Sequence, residues 1–288
     1  MHHHPPASRH RAALSRRQFL AATAAATLPL AFPRMPSRTV GPTPLGVQLY
    51  AVRDAYKADP AGTLTALAQM GYREVEFYDG IYDADMGEKR ALLDRLGLTS
   101  PSGHMGIQRL ERDPGRAIHL AKQLGHRYAI VPSLDVKATP EAYTDLAARL
   151  TRLAPGFARA GIKLGYHNHD YDLRPLEDGR TGLQILLEAL PADVFAMELD
   201  LFWAKAGGGG DITRFFRQYP DHFRLVHIKD MGTDGKQVNV GAGVLDWPAL
   251  LAAARAGGVG HWYAEIDDTT DQLGFARASY EYLSAITW

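Results

Sequence analysis

The chain has 288 residues, 46% hydrophobic and 22% charged, which suits one large globular domain or two small ones. Its formal net charge is zero, but the first 40 residues hold six arginines and no acid, leaving 26 basic against 32 acidic residues, net −6. A body of that sign does not hold a phosphate backbone by general electrostatics, so nucleic acid is not the expected partner. The absence of cysteine excludes disulfides, thiolate metal sites, a cysteine nucleophile and a lipoprotein anchor.

Residues 15–32, SRRQFLAATAAATLPLAF, set a twin arginine, Phe19 and Leu20 before a short alanine-rich apolar run. The stretch resembles a twin-arginine export signal. The run falls short of the ~20 apolar residues a membrane span needs, so no stable membrane anchor is expected. Residues 1–40 are expected to be signal peptide and linker, with the mature start between 30 and 42 and residues 41–288 as one folded domain. The resemblance implies the twin-arginine export machinery as a partner during transport, and a periplasmic or secreted destination. The histidines at 2–4 are set aside from any metal argument.

From residue 45 a rhythm repeats, short β-branched or aromatic runs alternating with stretches of helical period. The predicted strands are 45–50, 73–78, 98–104, 127–132, 162–169, 194–200, 223–229 and 261–267. Gly71, Gly97, Gly125, Gly161 and Gly258 stand just before the next strand, where a helix C-terminus commonly needs a left-handed residue. Eight βα units over roughly 240 residues match a (β/α)8 TIM barrel, an α/β fold. A doubly wound sheet is the alternative, but it calls for a glycine-rich turn after the first strand, and LGVQLYAVRD (45–54) has none.

Barrel enzymes place their chemistry at the C-terminal ends of the strands. Reading those ends in order yields Gln48 and Tyr50, Glu76, His104, His167 and His169, Glu198 and Asp200, His227 and Lys229, then Glu265. Ionisable groups inside a barrel are costly unless paired or metal-bound. His167, Asp200, His227 and Glu265 are the right types for one divalent ion, Mn, Co, Zn or Mg, with a position left for substrate. His222 and His261 begin their strands and are expected at the opposite face. His119 and His126 lie on or just after a helix, and all four are read as non-functional.

GVQLYAVRD (46–54), YHNHDYD (166–172), ELDLFWAKAGG (198–208), LVHIKD (225–230), VGAGVLDWPALL (240–251) and AEID (264–267) occur in one order. In these the chain resembles the sugar phosphate isomerase/epimerase family of xylose isomerase-like barrels, over residues 45–286. The resemblance implies a metal held by Glu, Asp, His and Glu from strands 5 to 8. Asp200, His227 and Glu265 match the last three, while Gly165-Tyr166-His167 puts a histidine where the first glutamate stands. Trp203 replaces a histidine three residues after Asp200. The chain is closer to a sub-group with His-Asn-His on strand 5, some relatives of which eliminate from keto-sugars.

The expected activity is that of a metal-dependent isomerase or epimerase on a sugar or keto-sugar, removing a proton beside a carbonyl through a metal-stabilised enediolate. Glu265 is the first candidate base and His169 the second, and the two histidines could exchange the roles of ligand and base. Lys229 would steady a developing oxyanion or protonate a leaving group. Gln48, Glu76 and His104 would bind substrate, with Trp203 as an apolar wall. The Gly207–Gly210 run reads as a lid hinge or only a flexible loop. A small unphosphorylated carbohydrate is the expected partner, since exported proteins rarely meet sugar phosphates. A keto-sugar dehydratase or lyase and a non-catalytic sugar-binding barrel are the alternatives. A DNA-repair endonuclease of the related barrels is disfavoured by the net −6 and the export signal.

Overall fold

A computed structural model describes Met1 and residues 43–82, 85–208 and 210–288, so the expected export signal lies outside the described residues. Seven strands lead the fold: β1 (Gly46–Gln48), β2 (Glu74–Glu76), β3 (Ser102–His104), β4 (Tyr128–Val131), β5 (Lys163–His167), β6 (Phe195–Asp200) and β7 (Phe223–Ile228). A small antiparallel hairpin follows, β8 (Asp230–Met231) with β9 (Gln237–Val238), and β10 (His261–Ala264) is the eighth barrel strand. Their order is β2-β1-β10-β7-β6-β5-β4-β3, and every pairing in it is parallel. The two ends of that sheet meet, because the Val75 amide donates to the Thr99 carbonyl at 2.9 Å and the His104 amide to the Phe77 carbonyl at 2.8 Å. The expected TIM barrel is present.

Helices fill the connections, and their starts are written in the sequence. Asp59, Asp113 and Thr139 each precede a proline, and each side chain accepts from the backbone amide three residues on. Proline loses nothing at the first helical position, where its missing N–H has no partner anyway. At the other ends, the five predicted glycines all take positive φ, from 65° to 116°.

Strand alternation sorts the side chains into two apolar groups. Outward residues such as Val47, Val75, Leu164, Met197, Val226 and Trp262 pack under the helices in the main core. Inward residues Ile130, Ala196, Leu225 and Tyr263 form a separate plug inside the barrel. Above that plug, toward the C-terminal mouth, the inward positions are polar. Gly165 stands between, and a Cβ there would lie 1.8 Å from the Ala196 carbonyl oxygen, so β5 and β6 approach more closely than any side chain permits.

Two expectations need correction. The predicted strand 162–169 ends at His167, so Asn168 and His169 lie beyond the ladder, and His169 does not share a strand face with His167. The cause is local: Asn168 Oδ1 accepts from the Asp200 amide at 2.9 Å, and Asp172 Oδ2 accepts from the His169 amide at 2.6 Å, turning the chain into a 3-10 turn at Asp170–Leu173. Second, Gly207 and Gly208 close the helix Leu201–Gly208. A Cβ on Gly207 would meet the Asp170 carbonyl oxygen at 2.0 Å, so this glycine serves close packing rather than a hinge.

Candidate active site

The register sets the cluster. It places His167 of β5 opposite Glu198 of β6, and Asp200 of β6 opposite His227 of β7. A register shift between Met197 and Glu198 falls directly below, and such irregularities re-aim the side chains that follow. Gln48, Glu76, His104, His167, Glu198, Asp200, His227, Lys229 and Glu265 are all buried at this one end.

Hydrogen bonds divide the cluster into a floor and a rim. Gln48 Nε2 donates to Glu76 Oε2 at 2.9 Å, and the same oxygen accepts from His227 Nε2 at 2.7 Å. Glu198 Oε2 accepts from His104 Nε2 at 2.7 Å and His167 Nδ1 at 3.1 Å. Toward the mouth, His227 Nδ1 donates to Glu265 Oε2 at 2.7 Å. Lys229 Nζ lies 3.1 Å from Asp200 Oδ2, 2.9 Å from Glu265 Oε2 and 2.8 Å from Asp267 Oδ1.

These contacts set the charges. Burial works against a charged His227, but Glu198 and Glu265 outweigh it and hold the ring well above the ordinary imidazole range. Burial, helped by His227, pushes His167 well below that range, so its ring is neutral. His169 is lowered to about 4 by burial and then by Lys229. Its Nδ1 is buried without a hydrogen-bond partner, and its ring stacks on Tyr171 at 5.5 Å. Asp200 is raised to about 6 by burial, against the pull of Lys229. Glu265 resists burial through Lys229 and His227 and stays well below the usual carboxylate range.

Four buried carboxylates beside Lys229 and the charged His227 are a costly arrangement, which further positive charge relieves. Donor atoms of His167, Asp200, His227 and Glu265 lie within 4.8 Å of one another, two imidazoles and two carboxylates suited to a borderline divalent ion. Glu76 Oε1 and Glu198 Oε1 are buried without hydrogen-bond partners beside them. Ligands shed protons on binding a metal, so the hydrogen on His227 Nδ1 is no obstacle. The residues fit a divalent ion. A second set, His104, His167, Glu198 and His227, is equally compact, but there three ring nitrogens already crowd one Glu198 oxygen at 2.7, 3.1 and 3.2 Å. That is a closed hydrogen-bonded network, so the first set is the better ligand shell.

Above the rim opens a cleft of about 410 Å³, lined by His104, His167, His169, Glu265, Asp267 and the Tyr50–Tyr78 pair among others. Among its described lining residues there is no lysine or arginine. Of the predicted site residues, Gln48 and Glu76 do not reach this cleft. Both are fully buried beneath His227, held by their own hydrogen bonds, and this position corrects their expected contact with substrate. Trp203 lies against His169 at 5.7 Å and Lys229 at 5.4 Å. His222 and His261 start at the opposite end, where His261 Nδ1 pairs with Glu74 at 2.8 Å. Sequence reasoning counted Glu198 among the strand ends but gave it no role, although its parity with Asp200 on one strand puts both inside the barrel. Asp267 and Asp172 were also missed, because each lies past a strand end.

The profile of the xylose isomerase-like TIM barrel family matches residues 64–286. The chain belongs to that family. Solved xylose isomerase-like barrels agree with it in shape. A sugar phosphate isomerase/epimerase from Parabacteroides distasonis is similar at TM-score 0.76 and 22% identity, over 88% of this chain and 99% of that one. For an L-ribulose 3-epimerase the values are 0.64 and 19%, over 84% and 93%. The probable 3-DHS dehydratase AsbF from Bacillus anthracis gives 0.67 and 11%, over 85% and 100%. At such identities the likeness establishes the fold. A comparison with curated protein sequences finds no match.

Proposed function

We propose that this xylose isomerase-like barrel is a divalent-metal-dependent enzyme that removes a proton beside the carbonyl of an unphosphorylated sugar or keto-sugar, as isomerases and epimerases do. The observation that carries it is the convergence of His167, Asp200, His227 and Glu265 at the floor of a cleft that also holds a neutral, unpartnered imidazole, His169. When bound by those four side chains, a divalent ion supplies Lewis-acid polarisation of the substrate carbonyl.

The order of the candidate bases changes from the sequence reading. Glu265 Oε2 is already engaged by His227 and Lys229. His169 lines the cleft, and burial holds its ring neutral, so the imidazole can accept the proton on the substrate carbon. Lys229 has three carboxylates around its three N–H groups, so its first task is to hold Asp200, Glu265 and Asp267 in place. His104, at the cleft wall, is the residue placed to meet a sugar hydroxyl. A lining without lysine or arginine supports an uncharged substrate over a phosphorylated one. One accessible base also serves β-elimination, so a keto-sugar dehydratase is the second reading.

Residues 1–40 we assign to twin-arginine export, which a reporter fusion carrying Arg16→Lys and Arg17→Lys would test by its retention in the cytoplasm. The catalytic reading is tested by following solvent deuterium into a panel of keto-sugars, with product analysis separating isomerisation, epimerisation and dehydration. Metal-dependent exchange supports it. Exchange with no sugar, by a protein that holds its metal, would leave a non-catalytic sugar-binding barrel.

A further inference from the structure

Two buried carboxylates, Glu198 and Glu76, belong to no ligand set that the first-choice metal shell requires, yet each touches one of its histidines. Glu198 Oε2 accepts from His167 Nδ1 at 3.1 Å, and Glu76 Oε2 accepts from His227 Nε2 at 2.7 Å. The remaining nitrogens turn the other way. His167 Nε2 faces Asp200 Oδ2 at 3.9 Å, beyond hydrogen-bonding distance, and His227 Nδ1 faces Glu265 Oε2 at 2.7 Å. Thus both rings direct one nitrogen at the candidate ligand carboxylates and the other at a buried carboxylate behind them.

An imidazole ligand coordinates through one nitrogen, and the hydrogen bond made by the other fixes its tautomer and orientation. We infer that Glu198 and Glu76 are positioning residues that select the Nδ1–H form of His167 and the Nε2–H form of His227, presenting opposite ring nitrogens to one divalent cation. The inference rests on the metal-binding reading of this site.

Both carboxylates are themselves held. His104 Nε2 donates to Glu198 Oε2 at 2.7 Å, and Gln48 Nε2 donates to Glu76 Oε2 at 2.9 Å. The two side chains are buried at the floor of the barrel mouth, below the cleft, where neither reaches substrate. Gln48 and Glu76 are register partners on β1 and β2, as Glu198 and His167 are on β6 and β5, so the barrel ladder itself sets both contacts. This also accounts for His167 standing where the resemblance implies glutamate. A histidine ligand needs an outward acceptor, and Glu198 on the adjoining strand supplies one.

The test uses the full protein loaded with zinc(II) or cobalt(II). In the zinc-loaded wild type, nitrogen-15 NMR of the imidazoles should show His167 protonated at Nδ1 and His227 at Nε2. The opposite tautomer at either ring overturns the inference without any substitution. Glu198→Gln and Glu76→Gln, checked for folding by metal-free thermal unfolding, should each weaken cobalt(II) about 10- to 100-fold in competition with a chelator. Each should also alter the cobalt absorption bands, which a purely structural role would leave in place. If wild type binds the ion with those tautomers while both variants bind it equally well with unchanged bands, the positioning roles fall and the metal site stands. If wild type takes up no divalent ion, the metal reading itself fails and carries this inference with it.

Discussion

Lys229 Nζ lies 2.9 Å from Glu265 Oε2, with both side chains buried at the mouth of the barrel. The same ammonium reaches Asp200 at 3.1 Å. Removing one partner of a buried pair leaves an uncompensated charge and costs about 3–5 kcal/mol. Lys229→Met should therefore lose stability on that scale in urea unfolding without metal, and added divalent cation should restore part of it. An unchanged unfolding midpoint would show that these pairs do not form in solution.

His169 and His167 sit with their rings 5.2 Å apart but in different surroundings. His167 faces Glu198 and Asp200, whereas His169 has an unpartnered Nδ1. His169→Asn should lower turnover about 10²- to 10⁴-fold with metal content unchanged, the usual range for a lost acid–base group. His167→Ala should lose the metal first. Elemental analysis beside turnover separates the two, and equal metal loss in both variants would contradict the division of roles.

Gly165 permits the approach of β5 to β6 that brings His167 onto Glu198. Gly165→Ala forces a methyl group against the Ala196 backbone and should cost about 1–3 kcal/mol or more. Thermal unfolding gives the stability, and chelator competition should show weaker metal binding in the same variant. Tight metal binding at reduced stability would mean that the spacing of these two strands does not set the ligand geometry.

His126, away from the rim, governs an acid limb of stability. Its Nδ1 donates to the Ser100 carbonyl at 2.7 Å, its Nε2 accepts from Tyr82 at 3.0 Å, and burial lowers it to about 4. A folded value below the unfolded one, near 6.5, means that the neutral ring stabilises the fold above pH 6.5, and that this contribution is lost as pH falls toward 4. The depression corresponds to about 3 kcal/mol. His126→Gln should remove that pH dependence, so denaturant melts of wild type and variant between pH 7 and 4 should diverge in slope. Parallel curves would refute the assignment.

Strand and helix rhythm, glycine C-termini and strand-end chemistry were legible because each is a local or periodic property. The five glycines before strands take the positive φ expected of them, and His167, Asp200, His227 and Glu265 do converge. What misled was parity carried past a strand's end. His169 was read as a ladder residue, yet the side chains of Asn168 and Asp172 turn the chain before it. Glu76 and Gln48 were expected to face substrate, since both stand at strand ends. Only the hydrogen bond between Glu76 and a histidine 151 residues away, and that from Gln48 to Glu76, tie both into the buried network.

The amino-acid sequence alone determined the barrel, its order of elements and the set of side chains at the C-terminal ends of its strands, since alternation and helix punctuation are encoded within a few residues of each position. Which of those side chains cluster closely enough to hold an ion, which hydrogen-bond to them and which line the cleft was decided only by the closed sheet. Glu198, His167, His104 and His227 come from four strands, and their hydrogens are apportioned by distances of about 3 Å that no spacing along the chain records.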